Sequence, residues 1–290
     1  MISQTQAAMG CHMPFEDWLA LNRTWIFDHP ELMSVVAPFP PETLMTNTSG
    51  LTERRDFAAH GTDIYRALWD ASDRPLNDYS SILDFGCGCG RLARMFSGHK
   101  GKVQGCDIDA RHVEWINDNL SFMQAKISRV VPPIPFVDDE CDAVISISIF
   151  THLTEASQDA FLAELHRVCQ PNGRLFLTVH GERALDRANR EPHIRAMLDM
   201  DEARFQEAQR QFKAGGHGFI LQFGHLTTTA VPGGAVDQGK AVSEPFEYGI
   251  AFTPEAYVRK HWSQWFDVLD YRSGGIHDFQ DIVVLQPLKR

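Results

Sequence analysis

The stretch "SILDFGCGCGRLARMF" (Ser81–Phe96) decides the fold. An apolar run ends in three glycines, Gly86, Gly88 and Gly90, which alternate with Cys87 and Cys89. The following "RLARMFSGHK" carries Leu92, Met95 and Phe96 at helical spacing, and "KVQGCDI" (102–108) is a second short apolar run. Strand, glycine turn, helix and strand make a βαβ unit with its loop at the carboxyl end of the first strand.

Outward from this unit the alternation continues. "ARHVEWINDNLSFM" reads as a helix, and "CDAVISISIF" (141–150) as a strand buried on both faces. "TEASQDAFLAELHRVCQ" is an amphipathic helix with Phe161, Leu162, Leu165 and Val168 on one face, stopped by "PNG". "RLFLTVH" (174–180) is the next strand; "PEAYVRKHWSQW" reads as helix, "FDVLDYRS" and "DIVVLQPLK" as the closing strands. The pattern predicts an α/β fold with a doubly wound, Rossmann-like parallel sheet. Residues 1–80 stand outside the alternation as a mostly helical lid segment, with Trp18, Trp25, Phe27 and Trp69 as aromatic anchors. Residues 81–180 form the ligand-binding core, and 248–290 close its sheet. Between them, 181–247 is a charged helical stretch and a glycine-rich loop, expected to cap the carboxyl edge of the sheet.

Composition narrows the partners. The 290 residues are 43% hydrophobic, enough for a full core, and the formal charge of −11 argues against a nucleic-acid or membrane-surface partner. No apolar run approaches a membrane span, and no charged-then-apolar leader opens the chain, so a cytoplasmic location is the expectation. The six cysteines (Cys11, Cys87, Cys89, Cys106, Cys141, Cys169) fall at no zinc or disulfide spacing and read as small buried residues.

The glycine turn selects its ligand by exclusion. A dinucleotide fingerprint requires a third glycine where Arg91 stands, and a phosphate loop requires Gly-Lys-Ser/Thr, which "GCGCGRL" lacks. A ligand with an amino-acid tail can lie against such a backbone, its carboxylate favoured by the following helix N-terminus. Asp107, at the end of the second strand, can accept both hydroxyls of a ribose. Ribose plus an amino-acid tail, without pyrophosphate, describes S-adenosylmethionine (SAM).

Taken together, "ILDFGCGCGR", "VQGCDID", the stretch from "PPIPFVDDECDAVISISIF" to "LFLTVHG", and "FDVLDYRS…QDIVVLQP" resemble the class I SAM-dependent methyltransferases. The likeness is to those found in bacterial polysaccharide and secondary-metabolite gene sets, and Cys141 departs from it where a Phe is common. It implies seven strands with the last antiparallel, and SAM as cofactor. It also implies that Asp84 and the turn at Gly86, Cys87, Gly88 and Gly90 hold the methionine part, and that Asp107 holds the ribose. Ile108, Val131 and Pro132 would lie against the adenine, and Ser148 and Phe150 on the methyl-donor side. Arg91 would meet the SAM carboxylate.

The expected activity is methyl transfer to a small-molecule or saccharide acceptor, at a hydroxyl before an amine, through alignment and exclusion of water. A hydroxyl acceptor needs a base. His180 ranks first, as the residue ending the fifth strand; His152 and His225 follow, with His217 and Tyr248 behind. Asp138 and Asp139 read as solvated loop acids rather than metal ligands. Two other readings stay open: intramolecular cyclisation of SAM with release of methylthioadenosine, and a SAM-binding scaffold without catalysis.

Overall fold

The structure is a computed structural model and describes residues 13–223 and 246–289. Seven strands form one sheet: β1 (Ser81–Phe85), β2 (Lys102–Asp107), β3 (Met123–Ile127), β4 (Cys141–Ser146), β5 (Cys169–Val179), β8 (Phe266–Ile276) and β9 (Gln280–Pro287). Their order is β3-β2-β1-β4-β5-β9-β8. The last strand, β9, runs antiparallel to both β5 and β8. The sheet and its antiparallel closing strand are those the sequence implies. Two further strands, β6 (Gly218–Phe223) and β7 (Tyr248–Phe252), pair with each other. Among the described residues no helix is long and apolar enough to cross a membrane.

By compactness the chain divides after Ser128. The boundary falls between β3 and β4, not at the limits of the sequence-predicted segments, and it joins the N-terminal helices to β1–β3 in one unit. Short helical turns run from Phe15 to Val35, followed by α1 (Glu42–Ser49) and α2 (Arg54–Ala71). Trp18 is 2% exposed, and its indole N–H donates to the Met95 carbonyl at 3.0 Å. Arg94 is buried, donates to the carbonyls of Ala37 and Pro38, and lies 3.6 Å over the Phe39 ring. These contacts explain a difference from the sequence reading. The helix expected after the glycine turn is only a 3₁₀ turn, Ala93–Phe96. Met95's carbonyl serves Trp18 and Arg94's guanidinium lies on the proline segment; Arg94 N–H still reaches the Gly90 carbonyl, but the Met95 and Ser97 N–H groups close at i→i−3.

A second difference lies in the next crossover. The helix α3 (Ala110–Asn119) starts on an Asp109 cap and ends early; "MQAKI" is the strand β3. Asn117 brackets that strand, its amide bonding both the N–H and the C=O of Ala125. This side-chain pairing outweighs the helical pattern that reaches Met123.

The second unit holds β4–β9. The helix α4 (Glu155–Val168) is capped by Thr154, whose hydroxyl accepts from the Ser157 N–H. It gives way to β5 at Cys169, with "PNG" taken up in a register shift against β4 rather than preceding the strand. The insert contains α5 (Glu182–Arg190), α6 (Pro192–Met197) and α7 (Glu202–Lys213), then β6, where the sequence suggested glycine-rich loop. It has its own apolar core, centred on Ala184, Ile194, Phe205, Ile220, Ile250 and Phe252. The remaining helix, α8 (Glu255–His261), leads to β8.

Strand β7 fastens this insert to the carboxyl ends of β4 and β5. Ala251 N–H donates to the Thr151 carbonyl, and Thr253 N–H to the His180 carbonyl, both at 2.8 Å. Below the junction Gly181 lies against a buried pair, in which the Tyr271 hydroxyl donates to Asp281 at 2.6 Å. A Cβ at Gly181 would collide with the Asp281 carboxylate and stand 2.6 Å from the Tyr271 hydroxyl. Gly181→Ala is therefore expected to cost about 2–4 kcal/mol in urea unfolding. Gly216→Ala, with nothing within 4 Å, should leave the midpoint unchanged.

Candidate functional site

The first unit presents the glycine turn between β1 and the 3₁₀ segment. Gly86, Gly88 and Gly90 have φ of +77°, +51° and +84°, the left-handed region that disfavours any side chain. The N–H groups of Gly86 and Cys87 both donate to the Cys106 carbonyl, which ties the turn to β2. At two positions the missing side chain serves the protein itself. A Cβ on Gly88 would lie 2.6 Å from Thr48 Cγ2, and one on Gly90 would lie 2.9 Å from Leu120 Cδ1. Sequence reasoning gave these glycines to a ligand; the atoms that approach them here belong to α1 and to the end of α3.

Asp107 closes the turn from β2. Its Oδ2 accepts from the Gly88 N–H at 2.8 Å and its Oδ1 from the Asp109 N–H at 2.9 Å. Asp84 differs. It is 4% exposed, and burial, reinforced by the charge on Asp107 and relieved in part by Arg91, raises its pKa to about 7. Such a carboxyl favours a neighbouring cation as soon as one is supplied.

Arg91 is the cationic counterpart. Burial lowers its pKa to about 10, and its Nη1 lies 2.9 Å from His60 Nδ1 on α2. Arginine keeps its proton, so the imidazole nitrogen is the acceptor. The helix N-terminus proposed for the ligand carboxylate is absent, because only the four-residue 3₁₀ turn follows. Cys87 and Cys89 are buried, and burial raises Cys89 to about 11, so the thiols are inert filling. Ile108 is half-buried at the end of β2.

In the second unit the predicted residues cluster at the loops after β4 and β5. Ser148 has φ of +62°, an outlier for a side-chain-bearing residue. Its N–H donates to Thr178 Oγ1, and its hydroxyl is 2.8 Å from Gln280 Nε2. Phe150 is fully buried, 5.6 Å from the Trp262 ring, and so sits as a core residue rather than a ligand-lining one. Val131 is exposed and Pro132 half-buried, in the loop before β4.

The candidate bases separate clearly. His180 is 2% exposed, and burial, with His152 nearby, lowers its pKa to about 3, which makes it a weak base. His217 has both nitrogens engaged, at 3.1 Å from Thr253 Oγ1 and from the Leu153 carbonyl, and its role is structural. His152 Nδ1 lies 2.8 Å from the Gly249 carbonyl, which fixes the proton there and leaves Nε2 as an acceptor, with the Tyr248 hydroxyl 3.2 Å away. Burial raises the Tyr248 pKa. His225 lies outside the described residues, as does most of the predicted glycine-rich loop. Asp138 is ion-paired with Arg167.

Sequence reasoning did not single out Thr48, His60, His112 or Gln280. Thr48, His60 and Gln280 meet a predicted residue from a distant segment, and His112 meets Asp107 from the next helix, so neither periodicity nor motif spacing marks them. Thr48 supplies the sharpest test of the turn. Gly88→Ala should cost about 2–4 kcal/mol in thermal or urea unfolding, from left-handed strain plus the Thr48 contact. The double variant with Thr48→Ser, which removes the colliding methyl, should recover about 1 kcal/mol or more of that loss.

A methyltransferase-domain family profile matches residues 82–173. A putative methyltransferase of Encephalitozoon cuniculi is 30% identical over 157 residues, 48% of this chain and 69% of that protein. The cyclopropane-fatty-acyl-phospholipid synthase of Escherichia coli K12 is 27% identical over 106 residues, 36% of this chain. The match spans only 27% of that enzyme's length. Among solved structures, the PH0226 protein of Pyrococcus horikoshii OT3 shares the fold, with a TM-score of 0.52 and 14% identity over 84% of this chain and 95% of that one. With the sheet order, the glycine turn and the two strand-end carboxylates in place, these likenesses establish that the chain belongs to the class I SAM-dependent methyltransferases.

Proposed function

We propose that this protein uses SAM to methylate a small molecule or saccharide, at a hydroxyl group. The observation that carries the SAM assignment is that a buried carboxyl, Asp84, and a half-buried guanidinium, Arg91, both stand beside the glycine turn. A free amino-acid group carries one ammonium and one carboxylate, and it complements that pair. In this reading Asp84 holds the ammonium, Arg91 the carboxylate, and Asp107, at the end of β2, the ribose hydroxyls. Bound SAM supplies an already activated methyl on its sulfonium, so no covalent enzyme intermediate is called for. The chain's part is alignment, exclusion of water and removal of one proton from the acceptor.

His152 is the residue best suited to take that proton. The Gly249 carbonyl lies 2.8 Å from its Nδ1 and orients the ring, and its Nε2 lies 3.2 Å from the Tyr248 hydroxyl. His180, kept neutral by burial, serves better as packing against Phe279 and Phe252 than as a base. The preference for a hydroxyl rests on this histidine, since a neutral amine acceptor needs no base. His152→Ala should lower turnover by about 10²-fold or more on a hydroxyl acceptor. It should leave the affinity for S-adenosylhomocysteine (SAH) unchanged.

The charge pair sets a pH dependence with a definite sign. In the free protein Asp84 keeps its proton up to about pH 7, whereas the ligand ammonium binds its ionised form. At pH 6 roughly a tenth of Asp84 is ionised, so SAH affinity should fall about tenfold per unit below pH 7 and level off above it. Calorimetry between pH 5.5 and 8.5 reads this directly, and Asp84→Asn should flatten the profile while weakening binding. A wild-type profile flat across that range would remove Asp84 from the role.

Product analysis separates methyl transfer from cyclisation. Incubation with SAM alone should release no methylthioadenosine, and SAH should accumulate only when a hydroxylated acceptor is added. Methylthioadenosine without acceptor would overturn the methyl-transfer reading.

A further inference from the structure

One polar group in the first unit has no task in the reading above. His112, in the first turn of α3, is 0% exposed, and its Nδ1 is buried with no hydrogen-bond partner. That nitrogen lies 3.5 Å from Asp107 Oδ1. The other ring nitrogen, Nε2, is 3.4 Å from Thr48 Oγ1. Thr48 Oγ1 in turn accepts from the Cys89 N–H at 3.2 Å, and Asp107 Oδ2 accepts from the Gly88 N–H at 2.8 Å. The contacts therefore form a ring: Thr48, the turn at Gly88–Cys89, Asp107, His112, and back to Thr48.

Leaving an imidazole nitrogen buried and unbonded costs about 1–3 kcal/mol, so its position calls for a reason. Packing alone does not supply one, because an apolar ring of similar size would fill the site without that cost. The carboxylate facing Nδ1 favours the ring proton on that nitrogen, while Nε2 lies 3.4 Å from Thr48 Oγ1, whose own proton goes to Cys89 Sγ at 3.1 Å. Asp107 already accepts one backbone N–H on each oxygen. A third donor poised at Oδ1 limits how the carboxylate can turn, and so which lone pairs face outward.

We propose that His112 is a positioning residue, holding the Asp107 carboxylate in the orientation that accepts the ribose hydroxyls, with Thr48 holding His112. The inference rests on the assignment of Asp107 to the ribose. Its consequence is selectivity: the ability to tell a ribose from a deoxyribose depends on a side chain that never touches the sugar.

The test measures binding of SAH and its 2′-deoxy and 3′-deoxy analogues by calorimetry, with thermal melts as the check on folding. The wild type should bind at least one deoxy analogue tenfold or more weakly than SAH. His112→Phe should shrink that ratio to threefold or less. His112→Asn, which returns a nitrogen near the Nδ1 position, should preserve the ratio, and His112→Gln, which places one near Nε2, should not. The Asn and Gln variants keep the test valid if the Phe variant does not fold. A full wild-type ratio in His112→Phe or His112→Gln, or its loss in His112→Asn, would overturn the proposal. A wild type that binds all three ligands alike would instead remove the ribose assignment itself, and the inference with it.

Discussion

The bond from the Gly88 N–H to the Asp107 carboxylate joins the turn after β1 to the end of β2, and the ligand chemistry of the first unit follows from it. It places a negative charge beside the turn. A second carboxylate, Asp84, is buried, and that burial, with the charge on Asp107 added to it, holds its proton to about pH 7. Two carboxylates in one buried turn would be a liability to the free protein at neutral pH. In the proposed function they meet the ammonium and the two hydroxyls of the ligand. Asp107 accepts the Gly88 and Asp109 N–H groups, while the charge on Arg91 offsets part of the burial that raises Asp84. The two acids thus have different tasks because their surroundings differ.

The N-terminal segment belongs to this arrangement. Trp18 bonds the Met95 carbonyl, Arg94 bonds Ala37 and Pro38, and Thr48 fills the space over Gly88. Gly61 brings α2 so near the turn that a Cβ there would lie 2.6 Å from the Arg91 carbonyl, and its neighbour His60 holds the Arg91 side chain. A segment fixed at so many points is better described as a wall of the turn than as a lid over it. In the second unit, β7 plays the comparable part, tying the insert to the loops after β4 and β5 and carrying the carbonyl that sets the His152 tautomer.

Much of this was legible in the sequence, and the limits have physical causes. The apolar run into alternating glycines marked β1 and its turn, because few side chains tolerate those dihedrals. Asp107 was legible from its place at the end of a strand one unit later. The Ile- and Val-rich β4 announced its burial. The short strand β3 was not legible, since "MQAKI" owes its conformation to Asn117 bonding Ala125 across the loop. Nor was the 3₁₀ turn, whose cause is the indole of Trp18, 77 positions away. Nor was the packing over Gly88: Thr48 is 40 residues upstream, and no local pattern reveals that its methyl group rests there. The ranking of His180 above His152 failed on burial, which a strand-end position alone does not disclose.

The central claim is that Asp84 is kept buried to receive a ligand ammonium. Carbon-13 NMR of the Asp84 carboxyl, titrated with and without SAH, tests it most directly. The account predicts a midpoint near pH 7 in the free protein and a fall of at least one unit when SAH is bound. A midpoint near the ordinary aspartate value of about 4 in the free protein, or one that SAH leaves unmoved, would contradict it.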